Sequence, residues 1–147
     1  MSIDKFFDDI MGGMSKEEAF YALLSAAAMI DDEQHAQEAE ELMALVHRTR
    51  TLSALGKADI VAIETKTRPR LSKDKIQDLI VDACSSLKQE KPDVGLSIFA
   101  HCCDIIFADR VVKNQEKVFL KDLVTHLGIA DGEAEMMLKA IRAKNEH

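Results

Sequence analysis

The stretch AFYALLSAAAMI, residues 19–30, is apolar at nearly every position. A surface helix keeps a polar face, so a segment without one belongs in the interior of a helical domain or in a membrane. These 12 residues are too few to cross a bilayer, which takes about 20. Ser15 and Glu18 have the spacing of a capping box, which predicts a helix from about 16 to 30. We therefore expect a central helix around which other helices pack.

The remaining chain is predicted to be helical as well. Its 147 residues suit one domain, and they are rich in strong helix formers, with no Trp and only two Pro. No segment alternates between apolar and polar residues for long enough to predict a strand. Helical periodicity predicts further helices at residues 2–11, 36–50, 54–66, 72–89, 94–107, 114–127 and from 131 onward. The sequence thus predicts an all-α, single-domain bundle of about seven or eight helices.

Local signals indicate where several of these helices begin and end. Ser53, Ser72 and Asp131 each stand where a helix is expected to begin, and side chains of this kind cap helix N-termini. Pro69 disfavours helical backbone at the residue before it, which predicts a break there. Gly128 is predicted to end the helix that begins at residue 114, because glycine readily adopts the left-handed conformation of a helix C-terminus.

The chain also contains an internal repeat. Shifting the sequence by 78 residues aligns the following pairs without a gap: Tyr21 with Phe99, Asp31 with Asp109, Glu38 with Glu116, Leu42 with Leu120, Ser53 with Asp131, and Ile63 with Ile141. We interpret residues 1–147 as one domain built from two three-helix units, 15–66 and 93–144, joined by the helix at 72–89. The two apolar helices are expected to pack face to face about a pseudo-two-fold axis.

Charge and cysteine content exclude several classes of function. The formal net charge is −7, whereas nucleic-acid and anionic-membrane surfaces require cations. The N-terminal MSIDKFFDDIMGG is acidic where a secretion signal is basic, so we expect a cytoplasmic protein without membrane insertion. Cys84, Cys102 and Cys103 lie in apolar helical patterns and are expected to be buried thiols rather than disulfides.

Two related segments carry paired carboxylates. The first corner, MIDDEQHAQE at residues 29–38, holds Asp31 and Glu38, and the second corner, FADRVVKNQE at residues 107–116, holds Asp109 and Glu116. On one continuous helix such residues would lie about 10 Å apart, too far to share an ion. If the chain turns between them, the two carboxylates of each corner converge.

These carboxylates have two interpretations. In the first, each glutamate is the third residue of a helix capped at His35 or Lys113, where a glutamate stabilises the helix N-terminus. In the second, the paired oxygens bind a divalent cation such as Ca²⁺, Mg²⁺ or Mn²⁺. Asp32 adjoins the first corner, and Asp104, in the apolar helix before the second corner, is costly to bury without a partner.

The second corner resembles a known family. Ala108-Asp109, Val112 and Glu116, followed by VFLKDLVTHLGI at residues 118–129, look like the TerB-like tellurite-resistance family, as does KFFDDIMGG at residues 5–13. The resemblance implies an all-α two-repeat fold, a cytoplasmic stress-linked function in bacteria, and chelation of a divalent metal by acidic residues. By motif, the ligands implied are Asp31, Glu38, Asp109 and Glu116, with Asp32 and Asp104 as neighbours.

This chain departs from the usual family pattern next to the aspartates and at the caps. Asp32 and Arg110 stand where the family usually has Gly, and His35 and Lys113 stand where it usually has Ser. Arg tolerates a positive φ less well than Asp does. These departures leave three alternatives: an ion at both corners, an ion at one corner only, or no ion.

We therefore carry three functional hypotheses. The first is a non-enzymatic TerB-like protein that binds a divalent cation at both corners. It would bind protein partners through an acidic surface, and this hypothesis allows for a homodimer. The second is an acidic interaction module without metal, whose carboxylates only cap helices. The third is a small metal-dependent hydrolase. A zinc site at His101-Cys102-Cys103 is disfavoured, because adjacent helical residues point about 100° apart.

Overall fold

The computed structural model describes residues 3, 13–30, 44, 46–109 and 111–147. Within these residues every regular element is helical, which confirms the predicted all-α class. The α-helices are α1 (Lys16–Met29), α2 (Arg50–Ser53), α3 (Lys57–Thr67), α4 (Ile76–Leu87), α5 (Pro92–Ile106), α6 (Asn114–Leu127) and α7 (Asp131–Glu146). Short 3-10 turns at Arg68–Arg70 and Phe107–Asp109 follow α3 and α5.

Helix α1 is the centre of the fold. Every residue from Ala22 to Ala28 is buried, so this helix has no face that meets solvent over two turns. It packs against α4 and α5 on its long sides and also contacts α2 and α3. Its N-terminus is capped as predicted, because the Glu18 backbone N–H donates to Ser15 Oγ at 3.1 Å. The prediction of a central apolar helix is confirmed.

Helix α5 is the second apolar helix, and it packs directly against α1. The Cys102 thiol donates to the Leu23 carbonyl at 3.6 Å, so the two helices meet in the interior. Helices α6 and α7 both pack on α5. The division into repeats at 15–66 and 93–144 remains a prediction, because most of the first corner and of the predicted helix 36–50 lies outside the described residues.

All three cysteines are free and buried, as predicted. Burial raises the pKa of Cys84 and of Cys103 to about 12 and raises that of Cys102 well above its usual value. The thiols therefore stay protonated and behave as small apolar groups in the core. Among the residues that the structure describes, no helix is both long enough and apolar enough to cross a membrane.

Several predicted boundaries are displaced by a few residues. Ser53 does not cap a helix from 54 to 66: its hydroxyl donates back to the Arg50 carbonyl at 3.3 Å, and α3 begins after Gly56. Such local side-chain bonds compete with capping. Ser72 is likewise wrong as a cap, since residues 73–75 form a turn before α4.

Of the other boundary predictions, one is wrong and two fall largely outside the described residues. Asp131 is the first residue of α7 rather than its cap, and Ala130 occupies the cap position. The predicted helix 2–11 lies outside the described residues apart from residue 3. Of the predicted helix 36–50, residues 44 and 46–48 are helical. The helical conformation is then interrupted at Thr49, which is the N-cap residue of α2.

Gly128 ends α6 as predicted. Substituting it tests whether the left-handed backbone conformation at this helix end requires glycine. Its φ is 70°, in the left-handed region. An added Cβ would lie 3.6 Å from Lys88 Cε, an ordinary contact, so Gly128→Ala should lose about 1–2 kcal/mol of unfolding free energy from backbone strain alone. Urea unfolding followed by far-UV circular dichroism measures this loss.

Gly132→Ala is the matched control. Gly132 lies in the first turn of α7, and an added Cβ there meets nothing within 4 Å. Alanine should be neutral or stabilise α7 by about 0.5–1 kcal/mol. Equal losses in both variants would contradict the assignment of the strain to the φ of Gly128.

Candidate functional site

The second corner is built by the end of α5 and the start of α6. Helix α5 ends at Ile106, a 3-10 turn covers Phe107–Asp109, and α6 begins at Asn114 after Lys113 in extended conformation, with ψ 163°. The chain therefore turns between Asp109 and Glu116, in agreement with the predicted helices 94–107 and 114–127. Lys113 holds the N-cap position and Glu116 is the third residue of α6.

Glu116 is the buried carboxylate of this corner. Its exposed fraction is 1%, and it is the one charged residue among the buried residues that the structure describes. Glu116 Oε1 accepts the Lys113 backbone N–H at 2.9 Å, which satisfies one otherwise unpaired donor of the helix N-terminus. The reciprocal half of a capping box is missing, because a lysine ammonium has no lone pair to accept a backbone N–H. The sequence rule for glutamate at this position thus holds with an atypical cap residue.

Asp104 serves a different contact. Its Oδ1 accepts from Lys144 Nζ at 2.9 Å, which joins α5 to α7. Burial of an aspartate on an apolar helix predicts a partner, and Lys144 supplies it. The sequence did not identify Lys144, because the two residues are 40 positions apart and no local pattern links them. Asp104 is therefore engaged in a helix–helix ion pair.

The remaining predicted ligands cannot be placed at this site. Asp31, Asp32 and Glu38 lie outside the described residues, and so does the side chain of Asp109. Across the described ranges, no three His, Cys, Asp or Glu side chains group closely enough to hold a metal ion. The metal site at the two corners therefore remains a prediction, of which the structure places the Glu116 and Asp104 side chains.

His101 lies one turn before Asp104 and is half-buried. Its Nδ1 is buried and finds no hydrogen-bond partner within the described part of the chain. Burial lowers the pKa of His101; Asp104 acts in the opposite direction, and Arg48 and Lys144 add to the lowering. The imidazole is therefore held in its neutral form more strongly than in an unfolded chain.

This shift gives a testable pH dependence. Because the pKa of His101 lies below its ordinary 6.5 in the folded protein, the unfolded chain takes up the proton first as pH falls. The contribution to stability is complete above about pH 6.5 and is lost as the pH drops through the folded pKa. When the pH is lowered from about 7 to about 5, the unfolding free energy of His101→Gln should fall less than that of the wild type. Urea unfolding at each pH measures both. An NMR titration that gives His101 a pKa of 6.5 or more would contradict the account.

Comparison with known proteins adds one finding. The family described as Tellurite resistance protein TerB matches residues 17–139, which include nearly all of α1, the second corner and about half of α7. The comparisons with curated proteins and with solved structures gave no match. The matched range covers well over half of the chain.

Proposed function

Because this chain belongs to the TerB family of tellurite-resistance proteins, we propose that it is a non-catalytic protein that binds a divalent cation through corner carboxylates. Asp109 and Glu116 would supply the oxygens at the second corner, and Asp31 and Glu38 those at the first. The observation that carries the proposal is the burial of the Glu116 carboxylate. By the same family membership, the setting we propose is a stress response in the bacterial cytoplasm.

The chemistry of the second corner suits a hard cation. A buried carboxylate is costly unless a positive charge or several hydrogen bonds compensate it, and a bound cation supplies such a charge. Ca²⁺, Mg²⁺ and Mn²⁺ prefer carboxylate, carbonyl and water oxygens. Asp104 contributes less to this proposal, since Lys144 neutralises it.

Binding is favoured over catalysis by the state of the strongest nucleophiles. Thiols react as thiolates, and burial holds the pKa of Cys84 and of Cys103 at about 12. Glu116 lies at the junction of α5 and α6, where a carboxylate suits an ion better than a substrate. Turnover of phosphodiester or phosphomonoester substrates would overturn this part of the proposal.

The second candidate is the acidic interaction module without metal. It is favoured by one specific observation, the hydrogen bond from the Lys113 N–H to Glu116 Oε1, which gives the buried carboxylate a structural role of its own. In this case the chain would meet protein partners through its acidic surface, and the corner would be a helix junction only.

Thermal unfolding of the EDTA-treated protein distinguishes the two candidates. A cation at about 100 times its Kd stabilises the folded state by about 2.7 kcal/mol. For a chain of this size that raises Tm by about 5–10 °C. We expect such a rise with Ca²⁺, Mg²⁺ or Mn²⁺ and expect Glu116→Gln with Glu38→Gln to abolish it. Glu133→Gln, on the exposed first turn of α7, is the matched control and should keep the full rise.

Comparing two substitutions of Glu116 sharpens the result. Gln keeps an oxygen that accepts the Lys113 N–H but loses the charge, whereas Ala loses both. Cation binding requires the charge, so both single variants should weaken the response at the second corner. Capping requires the acceptor, so only Ala should destabilise strongly, by about 1–3 kcal/mol. If no cation at millimolar concentration raises Tm, the proposal of a cation site is contradicted and the interaction module without metal is the candidate that remains.

A further inference from the structure

An apolar groove lies between the two C-terminal helices. Helices α6 and α7 each pack on α5 but do not pack closely on each other, which leaves an open cleft of about 390 Å³. Ligand sites typically have about 300–1,000 Å³ and mostly apolar walls. The groove is lined on its floor by apolar side chains from α5, the second corner, α6 and α7: Phe99, Phe107, Val112, Leu120, Val124 and Leu138. Four of these, Phe107, Val112, Val124 and Leu138, are only partly buried.

The rim of the groove is basic, although the chain as a whole is acidic at −7. Lys117 and Lys121 stand one turn apart on α6, Lys139 and Arg142 stand on α7, and Glu135 is the one carboxylate among the lining residues. All four cationic side chains are exposed. The groove thus presents positive charge along both of its walls.

Internal ion pairs do not neutralise this rim. Lys117 and Lys121 form no ion pair with any residue that the structure describes. Lys139 pairs with Glu135 at 3.3 Å and Arg142 approaches Glu146 at 3.8 Å, both between strongly exposed groups. Exposed pairs of this kind contribute little and exchange readily for other partners. The cations are therefore accessible to a negatively charged occupant.

We propose that this groove is a docking site for an acidic amphipathic helix of a partner protein. The apolar face of the partner lies on the floor, and its aspartates and glutamates meet the lysines and the arginine on both walls. Lys117 and Val124 are seven residues apart on α6, about 10 Å along the helix axis. Anchors at positions i, i+4 and i+7 of a partner helix span the same length, so two or three apolar side chains match the groove.

The distribution of charge distinguishes this occupant from a single-headed amphiphile. A fatty-acid anion carries one charge at one end and needs cations at one end of a groove only. Here the cations flank the floor on two helices, and each helix offers two of them at one-turn spacing. A helix with acidic residues on both borders of its apolar face uses all four.

Fluorescence anisotropy with labelled synthetic peptides tests the proposal on the full chain. The probe is an amphipathic helix with Leu at i, i+3, i+4 and i+7 and with Glu and Asp on both borders. One comparison peptide replaces every acidic residue by Lys, and the other replaces every Leu by Ser. Because the chain carries a net charge of −7, nonspecific attraction favours the lysine peptide, whereas the groove favours the acidic one.

Charge reversal on the protein provides the second arm. Lys117→Glu with Lys121→Glu should weaken binding of the acidic peptide by about tenfold or more and reduce its dependence on salt. The matched control is Lys57→Glu with Lys88→Glu, which changes the net charge equally at exposed positions away from the groove. The control should change affinity by less than about threefold.

Three results would overturn the proposal. The first is tighter binding of the lysine peptide or equal binding of the serine peptide. The second is an equal loss in the two double variants. The third is saturable binding of dodecanoate or of phosphatidylglycerol vesicles without binding of the acidic peptide, which would assign the groove to a lipid. The peptide comparison on the wild-type chain decides the matter even if a variant fails to fold.

Discussion

The fold depends on covering two helices that are mostly apolar. From Ala22 to Ala28 helix α1 is buried on all sides, and α5 buries Ile98, Phe99 and the run from Cys102 to Ile106 apart from Asp104. Each large apolar side chain removed from water contributes about 1.5–3 kcal/mol, so leaving the apolar sides of these helices open is costly. The alanines of α1 let neighbouring helices approach closely, as dense packing requires. The amphipathic helices α4 and α6 then find their places by covering what α1 and α5 expose.

The second corner follows from the same constraint. After α5 leaves the interior at Ile106, the chain must reverse so that the apolar face of α6 returns to α5. The reversal brings the first turn of α6 against the core, and with it Glu116. A charged group is thus buried by the path of the backbone, and its hydrogen bond from the Lys113 N–H offsets part of the cost of this burial. The same buried oxygen pair is what a divalent cation would use, so capping and ion binding place different demands on one side chain.

Sequence patterns predicted some features of this chain well and others not at all. Helix α6 has the predicted bounds because Glu116 and Gly128 act locally on the backbone at its two ends. The predicted start of α3 was wrong, because the Ser53 hydroxyl donates to the carbonyl three residues earlier and does not cap the following helix. The sequence indicated that Asp104 needs a cationic partner, but it could not identify Lys144 as that partner. Only tertiary packing brings α5 and α7 together. The groove was not predicted either, because its walls belong to two helices whose separation no periodicity encodes.

The shallow attachment of α7 has a consequence for how the molecule opens. This helix of 16 residues buries only Ala134 and Ile141, and one of its links to α5 is the Lys144–Asp104 pair on the outside. Local unfolding starts where few apolar contacts are lost, so α7 belongs to the outermost cooperative unit and α1 to the innermost. One wall of the groove can therefore move while the two apolar helices stay packed, and a cleft with one yielding wall adapts to occupants of different width.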